Sequence, residues 1–216
     1  MAASESHGER ARRGSLNRDR IVDAALELVD ASGVEELSMP KLARQLGVGV
    51  MSLYTHIKSK DDLLDALVQR VLETVEPPRG DDWRESMRRH FSELRAALCD
   101  HPGIGAVLTH KNVTVPAVFD ILEANLAALR AGGLTPEDAV TTYYTCLAFT
   151  LGFVSWELPR THTIDPSEYA RRWRAGLAEL DTNNYPTLHE LAGALANAAA
   201  PHQFDVGLER VLGPAR

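Results

Sequence analysis

Two short helices joined at a glycine, near the N-terminus, constrain the fold of this chain more than any other feature. Ser38 can accept a hydrogen bond from a free amide in the first helical turn, and Pro40 lies where a missing N–H costs little. Gly47 follows the apolar face of that helix and can adopt the left-handed conformation that ends it. After the bend, Leu53 and Ile57 lie four residues apart and give the second helix a buried side. The stretch therefore predicts a helix-turn-helix.

The same stretch is basic within an acidic chain. Residues 38–60 contain Lys41, Arg44, Lys58 and Lys60 but no Asp or Glu, whereas the 216-residue chain has a formal net charge of −7. A polyanion such as DNA is the simplest partner for this local positive charge. A solvated basic rim would explain the charges alone, but not their coincidence with the two helices and the glycine. We therefore predict that the second helix enters a DNA major groove.

Further helices are predicted on both sides of this motif. Asn17 is a favourable N-cap, Gly33 ends the same helix, and the residues between them include one apolar face: Ile21, Ala24, Ala25, Leu28 and Val29. Ser59 caps a helix after the motif, and Pro77 and Pro78 stop it. Three parts are therefore expected: a flexible basic arm (1–15), a DNA-binding domain (16–76) and a larger C-terminal domain (83–216).

The N-terminal region contains four stretches typical of a known family: Asp23-Ala-Ala-Leu-Glu-Leu, Lys41-Leu-Ala-Arg-Gln-Leu-Gly, Leu53-Tyr-Thr-His-Ile-Lys-Ser-Lys and Asp62-Leu-Leu-Asp-Ala-Leu. On these stretches, residues 17–75 resemble the DNA-binding domain of the tetracycline repressor (TetR) family. The resemblance implies that Tyr54, His56 and Lys60 lie against the DNA backbone. It also implies that the exposed start of the second helix reads the bases.

The complete set of residues expected to bind DNA follows from the motif and the resemblance together: Ser38, Lys41, Val50, Met51, Ser52, Tyr54, Thr55, His56 and Lys60. Pro40 and Val50 stand where the tetracycline repressor itself has an arginine and a glutamine that read bases, so the operator must differ. Val50 and Met51 offer only apolar contact, which suits thymine methyl groups. Ser52 and Thr55 can donate to or accept from several bases.

From Trp83 onward, the spacing of apolar residues predicts helices only. The expected fold class is therefore all-α, with a three-helix DNA-binding domain followed by a larger helical domain for ligand binding and dimerisation. The helices are predicted at 83–98, 104–108, 118–129, 136–158, 168–180, 188–198 and 203–212. The segment 136–158 is apolar around most of its circumference and must be covered on several sides.

Two motifs in this half, Phe149-Thr-Leu-Gly and Phe204-Asp-Val-Gly-Leu-Glu-Arg-Val-Leu-Gly, resemble the C-terminal domain of the tetracycline repressor subgroup. The resemblance implies that helices 136–158 and 203–212 pair with their counterparts in a second subunit as a four-helix bundle. A homodimer is also expected because one short recognition helix reads few base pairs. Useful specificity then needs two half-sites, about 34 to 36 Å apart, and a palindromic operator.

The C-terminal domain contains aromatic residues and histidines that could enclose an apolar pocket, although such residues more often form ordinary core. The family resemblance implies a small-molecule effector and favours this set of candidate contacts: His90, Leu94, His110, Phe119, Tyr144, Phe153 and Trp156. Tetracycline with magnesium is not the expected effector, because Glu76, His90 and Trp156 replace residues that hold the drug or its metal shell. We expect a more apolar or aromatic compound, and we assign no metal site and no cofactor.

Other classes of protein find less support. No segment reaches the roughly eighteen apolar residues of a membrane span, and no apolar signal region is present, so a cytoplasmic protein without membrane contact is expected. Cys99 and Cys146 lack the spacing of metal ligands and are expected to be buried thiols. No nucleophile elbow and no Cys-x-x-Cys motif is found, so the protein is not expected to be an enzyme.

The sequence thus predicts a homodimeric transcriptional repressor that is released from its operator by an effector bound in the C-terminal domain. Two alternatives remain. The protein could instead activate transcription or have both effects, with the same fold. Less favoured is a helical enzyme that acts on a small molecule and carries an N-terminal protein-interaction module.

Overall fold

The computed structural model describes residues 16–111, 113–161, 165–197 and 202–213, and within these ranges it contains helices and no strand. The predicted all-α fold class is confirmed. The predicted arm at residues 1–15 lies outside the described residues. The helices are α1 (Arg18–Ser32), α2 (Met39–Leu46), α3 (Val50–Tyr54), α4 (Lys60–Leu72), α5 (Trp83–Asp100), α6 (Pro102–His110), α7 (Pro116–Ala131), α8 (Pro136–Thr161), α9 (Pro166–Ala178), α10 (Pro186–Glu190), α11 (Ala192–Ala196) and α12 (His202–Leu212).

Side-chain caps start the first helices where the sequence indicated. Asn17 accepts a hydrogen bond from the amide of Arg20, and Ser59 accepts one from the amide of Asp62. Gly47, at the end of α2, has φ 69° and ψ 33°, which is the left-handed conformation that a residue without a Cβ adopts at low cost. Its N–H donates to the carbonyls of Ala43 and Arg44. The turn between α2 and α3 is therefore fixed by local rules.

The N-terminal helices pack around one apolar centre. The side chains of Ile21, Ala25, Leu42, Leu53 and Ile57 are all completely buried. Burying one such Leu or Ile side chain stabilises a fold by about 1.5–3 kcal/mol, so this centre fixes the orientation of α3 relative to α1 and α2. The core continues without interruption from α1 into the C-terminal helices.

The helices of the C-terminal half surround α8, which packs against α5, α6, α7, α9 and α12. Phe91 and Leu94 of α5 and Tyr143 and Cys146 of α8 are buried between these helices. Burial raises the pKa of the Cys146 thiol to about 12. Cys99 is partly buried, and its pKa rises to about 11 for the same main reason. Both residues are free thiols, and the prediction that they are buried is confirmed for Cys146 but not for Cys99, which is only partly buried.

Three predicted helix limits were wrong. Helix α4 ends at Leu72, well before the two prolines, because the chain leaves the helix through tight turns at 73–75. Helix α8 continues past residue 158 and includes Pro159 near its end, although proline has no backbone N–H to donate and its ring crowds the preceding turn. The single helix predicted at 188–198 is two short helices, α10 and α11, separated by Leu191 with φ −94° and ψ 5°.

Helix α6 joins the two halves of the molecule, because its two ends contact helices α1 and α4. At its start, His101 Nδ1 lies 2.9 Å from a carboxylate oxygen of Asp30 in α1. At its end, Lys111 Nζ donates to Asp65 Oδ1 at 2.7 Å and to the backbone carbonyl of Asp61 at 3.0 Å. Between these points Gly103 lies so close to Val29 that no methyl group fits there. A movement of α6 must therefore displace α1, α4 or both.

Candidate nucleic-acid interface and effector region

Helix α3 presents one face to the core and the other to solvent. Leu53 is completely buried, whereas Met51 is 77% exposed and Tyr54 is 44% exposed. Ser52 is also exposed, and Val50 is half-buried against the core. Met51, Ser52 and Tyr54 therefore lie on the surface as the sequence indicated, and Val50 can offer only part of its side chain to a partner.

The turn after α3 carries the next candidate contacts. The amides of His56 and Ile57 both donate to the carbonyl of Leu53, and Ile57 is completely buried beneath the turn. Thr55 is exposed, but its hydroxyl donates to the carbonyl of Ser52 at 2.7 Å, which leaves only its oxygen lone pairs for a base. His56 is half-buried, and Lys60 is exposed.

The start of α2 contributes Ser38 and Lys41 to the candidate set. The Ser38 hydroxyl accepts the amide of Lys41 at 3.4 Å and therefore caps the helix. Lys41 Nζ lies 3.2 Å from Glu36 and 3.3 Å from the hydroxyl of Ser32. Residues 38–60 contain no acid, but Glu36 lies beside them in the fold and partly neutralises one of their four cations.

A second acid reaches the interface from α4. Asp62 accepts a hydrogen bond from the amide of Lys58 at 2.7 Å and binds both terminal nitrogens of Arg18. The hydrogen bond from Arg18 is the main reason that the pKa of the Asp62 carboxyl lies below its usual range, and it also raises the pKa of Arg18. Sequence reasoning missed this pair because no local spacing relates residues so far apart.

The structure separates the predicted effector contacts into groups. His90 contacts Phe91, which contacts Tyr143, and Tyr143 contacts Tyr144 edge to face. A second aromatic group joins α8 to α12, with Phe153 and Trp156 among its members. Leu94 is buried in the core.

The other two candidate contacts lie apart from these groups. Phe119 is 54% exposed on α7. His110 faces a cavity of about 230 Å³ between α6 and α8, which none of the other six candidates lines. The cavity is bounded by Pro102, Gly105, Ala106, Thr109, His110, Leu151, Val154, Ser155, Leu158 and Pro159. The role of all seven residues in effector binding stays a prediction.

Two buried acceptor atoms among the described residues of the C-terminal half lack a hydrogen-bond partner. His90 is almost completely buried, and its Nδ1 lies 3.0 Å from the carbonyl of Glu76, which can only accept, so Nδ1 carries the proton. Nε2 of the same ring is then an acceptor without a donor. Asn125 Oδ1 on α7 is in the same situation. Buried acceptors of this kind usually receive a hydrogen bond from water or from a ligand.

Comparison with known protein families decides the identity of the fold. The model described as "Bacterial regulatory proteins, tetR family" matches residues 21–67, and the model described as "Tetracyclin repressor-like, C-terminal domain" matches residues 76–213. This chain belongs to the TetR family. The predictions of DNA binding and of a role in transcription regulation are thereby confirmed for this TetR-family regulator.

Individual relatives agree along most of the chain. The transcriptional repressor DrrR1 of Streptomyces coeruleorubidus is 31% identical over 95% of this chain and 80% of its own length. The class D tetracycline repressor of Escherichia coli is 28% identical over 91% of this chain and 88% of its own length. The crystal structure of ActR from Streptomyces coelicolor in complex with actinorhodin is 29% identical, with a TM-score of 0.81 over 92% of this chain and 94% of that chain.

Two other features are absent from the part of the chain that the structure describes. None of the helices there is long and apolar enough to cross a membrane. The same residues contain no group of three or more His, Cys, Asp or Glu side chains arranged to hold a metal ion.

Proposed function

We propose that this TetR-family regulator is a homodimeric repressor that binds a palindromic operator and leaves it when a small molecule binds the C-terminal half. The observation that carries the proposal is the surface formed by α3 and the following turn. There Met51, Ser52, Tyr54 and Lys60 are exposed while Leu53 and Ile57 anchor the same segment in the core. A short helix held in this way presents its N-terminal residues to base edges.

The residues of this surface divide into two roles. Tyr54, His56 and Lys60 contact phosphates and fix the register of the helix without reading sequence. Met51 and the exposed part of Val50 contact thymine methyl groups, and the hydroxyl of Ser52 selects among bases that donate or accept.

Dimerisation through α8 and α12 is supported by an apolar and small-residue stripe on α8. The residues of this stripe recur at helical spacing and are exposed in a single subunit: Val140, Thr141, Tyr144, Thr145, Ala148, Gly152, Ser155 and Trp156. Val206 of α12 is also exposed. Small residues at Ala148 and Gly152 allow the backbone of a partner helix to approach closely, and such a stripe on a long helix is typical of a helix-helix interface.

Release by an effector is supported by the position of α6. This helix lines the cavity that contains His110 and also contacts α1 and α4 through Asp30, Asp61 and Asp65. A ligand that binds better when α6 is displaced favours the conformation with low DNA affinity. Coupling of about 1–3 kcal/mol lowers operator affinity roughly 5- to 150-fold, which is enough to release the promoter.

The class of effector follows from the chemistry of the C-terminal half. Its core is aromatic, with the unpartnered acceptors His90 Nε2 and Asn125 Oδ1 inside it. The structure of the relative ActR contains actinorhodin, and we propose an aromatic effector that donates hydrogen bonds for this chain as well. Tetracycline remains disfavoured, since Trp156 and Glu76 stand where the tetracycline repressor binds its drug and metal.

The DNA surface is tested by measuring affinity against salt for a duplex that the wild-type protein selects from a random pool. We expect Lys60→Ala to weaken binding to every sequence and to reduce the slope of log affinity against log salt by about 0.9, the value for one lost phosphate contact. Tyr54→Ala should weaken binding to all sequences without this change in slope. Ser52→Ala should alter the preference at one base position.

The matched control is Arg174→Ala, which removes an exposed cation from α9. It should leave both affinity and salt slope as in the wild type. A slope near zero for the wild-type protein would contradict the proposed interface.

A further inference from the structure

The turn that follows α3 is held by a residue from the start of α1. Arg18, the first residue of α1, donates from Nη1 to the backbone carbonyl of His56 at 3.0 Å. The same guanidinium binds the two carboxylate oxygens of Asp62 at 2.7 and 3.2 Å. We infer that Arg18 is a positioning residue for DNA binding, which fixes this turn and shields phosphate from the Asp62 carboxylate.

The geometry restrains the turn at both of its ends. Arg18 fixes the carbonyl of His56 where the turn begins, and Asp62 accepts the amide of Lys58 where the turn approaches α4. A guanidinium that binds a carboxylate with two nitrogens allows little rotation, unlike a lysine ammonium. The candidate phosphate contacts His56 and Lys60 therefore lie on either side of a segment whose backbone cannot move independently of α1.

The electrostatics of this site require a cation near Asp62. Its carboxylate lies next to the segment that carries Lys58 and Lys60, where it accepts from the amide of Lys58, and the hydrogen bond from Arg18 lowers its pKa. An uncompensated carboxylate at this position would repel the DNA backbone, because like charges brought together at an interface oppose association. Arg18 cancels that charge while Asp62 still accepts the hydrogen bond from the amide of Lys58 in the turn.

This inference rests on the proposed role of the α3 surface, and a set of three variants tests it: Arg18→Gln, Asp62→Asn and the double variant. Affinity for the selected duplex is measured over a range of salt concentrations. Arg18→Gln should weaken binding about tenfold at low salt, within the range that coupled neighbours show, and the loss should shrink at high salt because salt screens the uncompensated carboxylate. Asp62→Asn keeps an acceptor for Lys58 and should have a smaller effect, and the double variant should bind more tightly than Arg18→Gln.

Three results would overturn the inference. A salt slope that stays about 0.9 smaller in the double variant than in the wild type would show that Arg18 itself binds a phosphate. A double variant no tighter than Arg18→Gln would contradict the shielding of Asp62. Unchanged affinity for Arg18→Gln would exclude any role in DNA binding.

Two controls separate this inference from the fold and from the proposed function. Thermal unfolding must show that each variant is folded at the assay temperature, and Arg18→Lys, which retains the charge without the two-nitrogen geometry, should lose less affinity than Arg18→Gln. If Lys60→Ala weakens binding and Arg18→Gln does not, only the inference fails. If Lys60→Ala has no effect, the proposed DNA surface itself is wrong.

Discussion

His90 shows how one side chain can link packing to pH. The ring is buried beside Phe91, and its Nδ1–H donates to the carbonyl of Glu76. Burial holds the pKa of His90 below its ordinary value of about 6.5, although the carbonyl of Glu76 and the charge of Glu93 oppose the shift. The folded protein therefore keeps this ring neutral at a pH where the unfolded chain begins to bind a proton.

The first prediction concerns the free energy of unfolding against pH. Because the folded pKa of His90 is depressed, stability is fully present above about pH 6.5 and falls as pH decreases below that value, by at most about 1.4 kcal/mol per pH unit. In His90→Asn, which can still donate to the carbonyl of Glu76, the decrease between pH 6.5 and 5.5 should be smaller. Urea unfolding at equal protein concentration measures both curves. If the free energies of unfolding of the two proteins change with pH in parallel, His90 does not contribute to the pH dependence of stability.

For single residues, the sequence alone predicts the structure where the interacting residues are close together in the chain. The caps at Asn17, Ser38 and Ser59 depend on residues three positions away, and all three form as predicted. The pair of Arg18 and Asp62 depends on the packing of α1 against α4 instead. Sequence periodicity shows which faces are buried, but it does not show which polar residues meet at their edges.

The helices themselves differ in how well local rules determine them. Helices α1 and α2 have strong caps and one clear apolar face, and their limits agree with the prediction. The segment from α10 to α11 has weak periodicity and lacks a side-chain cap, so tertiary contacts decide where it bends. The cavity beside α6 could not be predicted from the sequence either, because only the packing of α6 against α8 creates it.

The second prediction tests the contact of α6 with α1 through a matched pair of glycines. A methyl group at Gly103 would overlap the side chain of Val29, whereas nothing lies near the corresponding position at Gly105. Gly103→Ala should therefore destabilise the protein by about 1–3 kcal/mol, the usual cost of overpacking. Gly105→Ala should be neutral or stabilising by up to about 1 kcal/mol, because alanine favours helix.

Thermal unfolding measures this difference, with an expected fall of about 2–4 °C per kcal/mol for a chain of this size. Equal melting temperatures for the two variants would contradict the close contact between the two helices. Far-UV circular dichroism checks that both variants keep their helix content.

On the scale of the whole molecule, the proposed dimer depends on the exposed stripe of α8. Gly152 lies on this stripe, and the single subunit leaves open space around it. An arginine at Gly152 should therefore be tolerated by the fold of one subunit but should hold the partner helix away. We expect Gly152→Arg to be monomeric at concentrations where the wild type is a dimer, and to lose operator affinity because only one half-site is then occupied.

Light scattering after size-exclusion chromatography measures the mass of each species. Gly176→Arg provides the control, since Gly176 is also a helical glycine with open space around it but lies on α9, away from the stripe. The control should remain dimeric. A dimeric Gly152→Arg variant would exclude α8 as the contact between subunits.

The contacts of α6 with Asp30 and Asp65 have a consequence for how tightly the operator-bound protein can bind its effector. Equilibrium coupling is reciprocal, so an effector that lowers operator affinity by some factor must itself bind the operator-bound protein more weakly by that same factor. Regulator bound to a promoter is then a poorer sensor than regulator free in solution. Saturating the purified protein with operator DNA should accordingly raise the effector concentration at which half of the protein carries the ligand.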